Sequence, residues 1–307
     1  MPRNVCIVGG GSIGGVLAYF LYKGGLFNIP VYYRSETSVK SILDTRGILI
    51  RIPHQREVYL VPIQPRISSN PVDECDFIIN SVKAYDVEAT IDLMKKLSHG
   101  GTVIIMLQNG IGSYELVAEK LANVKVAVGV AFIGSERDSP SSITYSGGKT
   151  IITGCPGRIC YELKELQTVF IRGGCDFRIT SNIDYYRWLK LALNSIVNPI
   201  TALTRKRNKI ILDEDARELV NQLIEEFIQV AKKYGFSFEK EGLVSYIIRN
   251  VELTRENKSS MLQDILRKKR TEIDYINGFL ARELGRGSLN FFITRLIHLL
   301  EGEENGE

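Results

Sequence analysis

Short apolar runs alternate with amphipathic stretches along the first half of the chain. Two of these stretches, Ile13–Lys23 and Val87–Leu97, have the spacing of helices that bury one face. Four apolar runs have the length of strands: Asn4–Val8, Pro30–Tyr33, Asp76–Val82 and Val103–Leu107. Because strands that alternate with helices form βαβ units, this half of the chain predicts a mostly parallel sheet.

Further strand patterns interrupt this alternation. Gly47–Ile63 alternates apolar and polar residues and predicts a β insertion. Val126–Phe132 and Ser142–Thr153 predict two more strands, on either side of a polar loop at Gly134–Ser141.

The pattern changes near residue 180, after which almost every segment has helical spacing. The predicted helices are Tyr185–Asn198, Asp213–Tyr234, Lys240–Thr254, Ser259–Leu266, Thr271–Leu284 and Leu289–Leu300. Pro199 is expected to bend or end the first of them, and Thr271 is a plausible N-cap of the fifth. We therefore predict an α/β Rossmann-like dinucleotide-binding domain at residues 1–180 and an all-α C-terminal substrate and catalytic domain at residues 181–307.

Composition narrows the class of protein. The 307 residues are 44% hydrophobic and 24% charged, which is ordinary for a globular protein. The net charge of +4, from 39 basic and 35 acidic residues, is too small to indicate a nucleic-acid partner. The apolar runs are far shorter than the ~20 residues of a membrane span, so a membrane protein is not expected.

The five cysteines are Cys6, Cys75, Cys155, Cys160 and Cys175. Their number is odd and none forms a Cys-x-x-Cys pair, so neither a disulfide framework nor a metal site is expected. This favours a reducing compartment and a cytoplasmic protein, although the cytosol of hyperthermophiles tolerates disulfides.

The sequence from Gly9 to Gly14 matches G-x-G-x-x-G between a predicted strand and a predicted helix. Glycines at this spacing let the backbone approach a pyrophosphate at the positive end of the helix. The alternative is a structural glycine turn.

The next strand ends at Arg34, where an enzyme that uses NAD usually has an acid. A guanidinium there can pair with a 2′-phosphate and favours NADP, unless Glu36 captures it or Arg34 is only a solvated surface residue.

Polar side chains follow other strands and line one predicted helix. Lys83 and Asn109 each lie just past a buried strand, at the edge where α/β sheets bind ligands, although Asn109-Gly110 could be a plain turn. Lys190, Asn194 and Asn198 are spaced by four residues, so they share one face of an otherwise apolar helix. A bound oxyanion or hydroxyl would satisfy their donors, and a solvated polar stripe is the alternative.

Ser260 and Glu272 are twelve residues apart, so they can converge only if the chain breaks near Arg267–Arg270. The basic run itself is interpreted as a solvated surface connection.

At these residues the chain, from Val5 to about Leu289, resembles the ketopantoate reductase (2-dehydropantoate 2-reductase) family. The resemblance rests on the glycine loop, Lys83–Asp86, Leu107–Gly110, Lys190–Pro199, Ser259–Asp264 and Thr271–Gly278. The sequence departs from the usual family pattern before Asn208, where Thr204–Arg207 replaces a shorter apolar segment. A second departure is at Gly285–Asn290, where the family often has a proline.

The resemblance implies reduction of 2-dehydropantoate to (R)-pantoate, a step towards pantothenate and coenzyme A. NADP(H) is the expected cofactor, with NAD(H) left open, and no metal is expected. Lys190 maps onto the general acid. The cofactor positions map onto Gly9, Gly10, Gly11, Ser12, Ile13, Gly14, Arg34, Lys83, Asn109 and Glu272. The substrate positions map onto Asn194, Asn198, Asn208 and Ser260.

Other functions also fit the sequence. The chain could reduce another branched 2-keto acid, or be a non-catalytic NADP-sensing protein that kept the fold. A sensor has no need for Lys190 and its asparagine stripe, so their presence argues against that alternative. The hypothesis of a structural or interaction protein is supported only by the basic run Arg267–Arg270. The expected partner is a small keto acid, and a homo-oligomer is also left open.

Overall fold

A mostly parallel sheet organises the first part of the chain in the computed structural model, which describes residues 4–302. Ten strands occur within those residues: β1 Val5–Val8, β2 Pro30–Tyr33, β3 Ile48–Ile52, β4 Glu57–Val61, β5 Gln64–Ile67, β6 Cys75–Asn80, β7 Ser98–Met106, β8 Lys125–Ser139, β9 Ser142–Gly154 and β10 Asp176–Ile179. Their order is β4-β3-β9-β8-β7-β6-β1-β2-β5, and β10 pairs with β9. Only β3–β4 and β8–β9 are antiparallel among the described strands, so the α/β prediction is confirmed.

Five helices accompany these strands in the described first part: α1 Ser12–Lys23, α2 Glu36–Asp44, α3 Ile91–Leu97, α4 Ser113–Lys120 and α5 Leu163–Arg172. β1 shows why the sheet is buried on both faces. Its Val5 and Ile7 join one apolar cluster, whereas Cys6 and Val8 join another. Side chains alternate across a strand, so a run of four apolar residues supplies both faces.

The structure differs from the sequence prediction in several elements of this part. The predicted polar loop at Gly134–Ser141 is wrong, because β8 continues to Ser139 and pairs with β9 through several register shifts. Bulges let polar residues extend a hairpin beyond its apolar segment. The stretch Val87–Leu97 is helical only from Glu88, as a short 3₁₀ turn followed by α3. β5, β10, α2, α4 and α5 were not predicted from the sequence.

The second part is helical, as predicted. Its helices within the described residues are α6 Ile183–Thr204, α7 Arg217–Lys233, α8 Lys240–Leu253, α9 Ser260–Leu266, α10 Asn277–Leu284 and α11 Leu289–Gly302. One apolar cluster joins them and includes Trp188, Leu223, Phe227, Leu280 and Ile293.

Two details of the helical part correct the sequence analysis. α6 passes through Pro199 and continues to Thr204, so the proline does not end the helix. The predicted fifth helix is split into a 3₁₀ turn at Ile273–Tyr275 and then α10. The Thr271 hydroxyl accepts a hydrogen bond from the Ile273 amide at 3.2 Å, but the N-cap residue of the short turn is Glu272, so Thr271 is not the N-cap of a long helix.

The chain divides into two compact units. The first unit comprises the chain up to Gln108 together with Gly112–Asp184. The second comprises Asn109–Ile111 and the chain from Tyr185 onward. A three-residue segment between β7 and α4 therefore belongs with the helices. Within residues 4–302 no helix is long and apolar enough to cross a membrane.

The cysteines also differ from expectation. Cys6 is bonded to Cys75, with their Cα atoms 5.9 Å apart, and Cys155 is bonded to Cys160, with their Cα atoms 5.6 Å apart. Cys175 is a buried thiol. The expectation of no disulfides is therefore wrong for four of the five cysteines. Neighbouring strands bring Cys6 and Cys75 together across 69 residues, which their spacing in the sequence does not reveal.

Candidate functional site

The glycine loop between β1 and α1 is the first candidate region and lies in the first unit. Gly9 has φ +98°, and a Cβ atom on it would lie 2.7 Å from Val82 Cγ1. The Ser81 hydroxyl donates to the Gly9 carbonyl at 2.7 Å. A Cβ on Gly14 would lie only 2.1 Å from the same carbonyl oxygen. Close packing of strand, loop and helix thus requires glycine at both positions.

Gly11 differs from these two glycines because a Cβ atom on it would meet nothing within 4 Å. Gly11 is the N-cap residue of α1 and makes no side-chain cap bond. The first amide groups of a helix point along its axis and lack partners within the helix. Bare backbone at this end of a twelve-residue helix fits an anionic group such as a pyrophosphate.

Arg34 lies directly after β2 and is highly exposed, with 87% of its side chain accessible. Its guanidinium pairs with Asp86 at 3.2 Å. The sequence analysis considered Glu36 as the partner, but Glu36 is the first residue of α2 and the ion pair is with Asp86. Asp86 lies three residues after Lys83, in the segment Lys83–Asp86. That position is the one feature of the sequence that could have pointed to Asp86 as the partner of Arg34.

Lys83 lies in the loop after β6, where it is half-buried. Gln108 holds this edge of the sheet together. Its side-chain amide nitrogen, Nε2, donates to Asn80 Oδ1 at 2.9 Å and to the Val82 carbonyl at 3.0 Å. The end of β7 is thereby tied to the loop that carries Lys83.

A polar cluster in the second unit brings together three residues that the sequence singled out. Glu272 is 5% exposed and accepts a hydrogen bond from Asn109 Nδ2 at 3.1 Å. Asn109 Oδ1 accepts in turn from Asn194 Nδ2 at 3.3 Å. The backbone also fixes this segment, because the Ile111 amide donates to the Tyr275 carbonyl at 3.0 Å. Asn109 therefore links the α6 stripe to Glu272.

Lys190 lies one helical turn before Asn194 on α6 and is half-buried. Burial lowers the pKa of its ammonium group to about 8, and the nearby charge of Glu272 opposes that shift. A lysine with its pKa near neutrality can both donate a proton and stabilise a developing negative charge.

The remaining predicted substrate residues lie at several places in the same unit. Asn198 is buried, with 5% exposure. Asn208 donates through Nδ2 to the Thr254 carbonyl at 3.2 Å and to its hydroxyl at 3.1 Å. Ser260 is exposed and begins α9.

The chain does break between Ser260 and Glu272, as their convergence would require. α9 ends at Leu266, and Lys268 has φ +56°. Ser259, not Ser260, caps α9 by accepting from the Leu262 amide at 3.1 Å.

The described residues contain no group of three or more His, Cys, Asp and Glu side chains that could hold a metal ion. The chemistry that the second unit offers is instead an ammonium group, two amides and a carboxylate on one connected cluster. Such a set can bind a polar anion and donate a proton to it.

Comparison with known proteins gives a consistent result for both units. The family model "Ketopantoate reductase PanE/ApbA" matches residues 5–157, and its C-terminal model matches residues 182–301. A 2-dehydropantoate 2-reductase from Pyrococcus abyssi is 32% identical over 309 residues, covering 98% of each chain.

Solved structures share the fold at lower sequence identity. A PanE/ApbA family ketopantoate reductase from Ralstonia eutropha JMP134 superimposes with a TM-score of 0.86 at 22% identity, covering 99% of this chain and 100% of that one. A D-mandelate dehydrogenase with NADH and anilino(oxo)acetate gives a TM-score of 0.87 at 21% identity, with the same coverage. The two family models and the Pyrococcus relative show that this chain belongs to the ketopantoate reductase family.

Proposed function

We propose that this protein catalyses the NADPH-dependent reduction of 2-dehydropantoate to (R)-pantoate, a step towards pantothenate and coenzyme A. The observation that carries the proposal is the connected cluster of Lys190, Asn194, Asn109 and Glu272 in a chain of this family. A protein that only sensed a nucleotide would gain nothing from a lysine whose pKa is lowered towards neutrality.

The glycine loop and the residues after the strands are assigned to the cofactor. Bare amide groups at Gly11 and the start of α1 hold the pyrophosphate. Arg34 is assigned to the 2′-phosphate, with Lys83 near the same edge of the sheet. When bound, NADPH supplies the hydride that reduces the keto carbon.

Lys190 is assigned as the general acid. Its ammonium group stabilises the negative charge that develops on the keto oxygen and then gives that oxygen a proton. The low pKa of Lys190 makes this transfer easier than it is for an ordinary lysine. The nearby carboxylate of Glu272 raises the pKa of Lys190 and so favours its protonated form.

The amides and the hydroxyl are assigned to the substrate. Asn194 and Asn198 orient the keto and hydroxyl oxygens from the face of α6 that carries Lys190. Ser260 is assigned to the substrate carboxylate, whereas the Asn208 amide already donates to the carbonyl and the hydroxyl of Thr254. Asn109 and Glu272 support this arrangement, since Asn109 bonds to both Glu272 and Asn194.

The assay that tests the proposal follows nicotinamide absorbance with 2-dehydropantoate and either NADPH or NADH. Two comparison substrates are needed: the branched 2-keto acid that lacks the hydroxyl group, and an aromatic 2-keto acid. We expect the highest kcat/KM with 2-dehydropantoate and NADPH. Faster turnover of a comparison keto acid would replace the proposed substrate, and no turnover of any of them would reject the proposal.

A further inference from the structure

The proline inside α6 leaves one backbone carbonyl of the helix without its usual hydrogen-bond donor. Pro199 has no backbone N–H, so it cannot donate to the carbonyl of Ser195, four residues earlier. Ser195 is 1% exposed. A buried carbonyl group needs a hydrogen-bond partner, and the usual helical partner is missing here.

Asn277, the first residue of α10, supplies the missing hydrogen bond. Its Nδ2 donates to the Ser195 carbonyl at 2.7 Å, and its side chain is fully buried. The bond falls next to Asn194 and three residues before Asn198. It therefore supports α6 at the part of the helix that carries the substrate-binding stripe.

The orientation of the Asn277 amide is fixed by a relay of further groups. Asn277 Nδ2 also donates to Asn290 Oδ1 at 2.9 Å. Asn290 Nδ2 donates to the Glu226 carboxylate at 2.6 Å, and that carboxylate also accepts from the backbone amides of Leu289 and Asn290. The Ser195 carbonyl at one end can only accept, and the Glu226 carboxylate at the other accepts through both of its oxygens, so both amides have one allowed orientation.

We propose that Asn277, held by Asn290 and Glu226, is a positioning residue that replaces the hydrogen bond lost at Pro199 and keeps the reactive face of α6 in place. Asn277 acts through the Ser195 carbonyl, which adjoins Asn194. The relay joins α7, α11 and α10 to α6, so three helices set the position of the fourth. The effect on activity rests on the proposed function.

The first test is a double-mutant cycle between Asn277 and Pro199. Asn277→Ala leaves the Ser195 carbonyl without its partner, and we expect kcat to fall about tenfold or more with a smaller change in KM, because small displacements of catalytic groups are costly. Pro199→Ala restores a backbone N–H at residue 199. In that background Asn277→Ala is expected to change kcat by no more than about twofold.

Asn250→Ala is the matched control. Asn250 Nδ2 donates to the Tyr246 carbonyl at 2.7 Å, which is the same kind of bond, from an amide to a helix carbonyl, on α8. We expect kcat to stay at the wild-type value in this variant. Loss of activity in Asn250→Ala equal to that in Asn277→Ala would reduce the role of Asn277 to general stability and overturn the proposal.

The same cycle measured by denaturant unfolding separates this inference from the proposed function. If the wild type does not reduce 2-dehydropantoate, the proposed function fails, but the unfolding cycle still tests the hydrogen bond. Rescue of Asn277→Ala by Pro199→Ala supports the inference, even where Asn277→Ala alone does not fold. The inference is overturned if Asn277→Ala lowers the free energy of unfolding equally in the wild type and in Pro199→Ala. It is also overturned if the double variant fails to fold although Pro199→Ala folds.

Discussion

Lys190 shows how one residue acquires its chemistry from its surroundings. The helix around it is apolar, since Trp188, Leu191 and Ala192 are all buried. Burial disfavours the charged ammonium and lowers its pKa to about 8, whereas Glu272 favours the charge and prevents a larger shift. The proposed general acid is therefore protonated at neutral pH and able to release its proton.

This balance predicts the pH dependence of the reaction in both directions. Reduction needs the protonated form of Lys190, so its kcat/KM is expected to fall by about tenfold per pH unit above pH 8. Oxidation of (R)-pantoate needs the neutral amine and is expected to rise up to that pH. Steady-state rates in both directions across the range check this, and a flat reduction profile well above pH 8 would remove Lys190 from the proton transfer.

Arg34 is the residue on which the cofactor preference depends. Because it is 87% exposed, the pair with Asp86 is screened by solvent and holds the guanidinium only weakly. A phosphate that carries more charge can displace such a carboxylate and form a charge-assisted bidentate pair.

Arg34→Ala is therefore expected to weaken NADPH binding and leave NADH binding nearly unchanged. A charge-assisted hydrogen bond contributes about 1.5–3 kcal/mol, and exposure places the effect near the lower end, about tenfold in Kd. Titration of both cofactors into the wild type and the variant measures it, with Arg286→Ala, at an exposed arginine of the second unit, as control. Equal affinities of the wild type for the two cofactors would contradict the assignment.

At the scale of elements, the glycine loop could be predicted from the sequence because its cause is local. G-x-G-x-x-G between a strand and a helix specifies a positive φ at Gly9 and close packing at both Gly9 and Gly14, and the structure has these features. The passage of α6 through Pro199 could not be predicted. The group that satisfies the freed Ser195 carbonyl is Asn277, 82 residues away in the sequence.

The cluster around Glu272 is a similar case. The sequence placed Asn109 after a strand and Asn194 on a helix. Asn109 is separated from Asn194 by 85 positions and from Glu272 by 163 positions, and no spacing rule connects residues so far apart. Only the resemblance to the family joined them before the structure was known. The extended β8 was missed because polar residues in a long hairpin have the composition of a loop.

A substitution at the N-terminus of α1 is expected to affect cofactor binding without affecting stability. Gly11→Ala introduces a methyl group where the protein has open space, so the free energy of unfolding is expected to stay at the wild-type value. The same methyl group blocks the approach of a pyrophosphate, and NADPH affinity is expected to fall about tenfold or more.

Denaturant unfolding and cofactor titration of Gly11→Ala measure these two effects. Gly287→Ala, also in open space but on the α10–α11 connection, is the control for both. Unchanged cofactor affinity in Gly11→Ala would place the pyrophosphate elsewhere.

At the scale of the whole molecule, two disulfides constrain the first unit to different extents. Cys6–Cys75 closes a loop of 69 residues between neighbouring strands, whereas Cys155–Cys160 closes a loop of only five. Loop closure in the unfolded chain costs more entropy for the longer loop.

Replacing Cys6 and Cys75 by alanine is therefore expected to lower the free energy of unfolding by about 4 kcal/mol, against about 2 kcal/mol for Cys155 and Cys160. Denaturant titration under non-reducing conditions compares the two double variants. A larger loss at Cys155–Cys160 would contradict this ranking.

Lys190 on α6 is the proposed proton donor in the proposed reduction of 2-dehydropantoate. The most direct measurement is kcat and cofactor Kd for Lys190→Ala, beside the exposed Lys232→Ala on α7 as control. General acid catalysis contributes about 10²–10⁴-fold, so kcat is expected to fall by that factor in Lys190→Ala, with cofactor Kd unchanged and the control active. A folded Lys190→Ala variant that keeps the wild-type kcat would contradict the account.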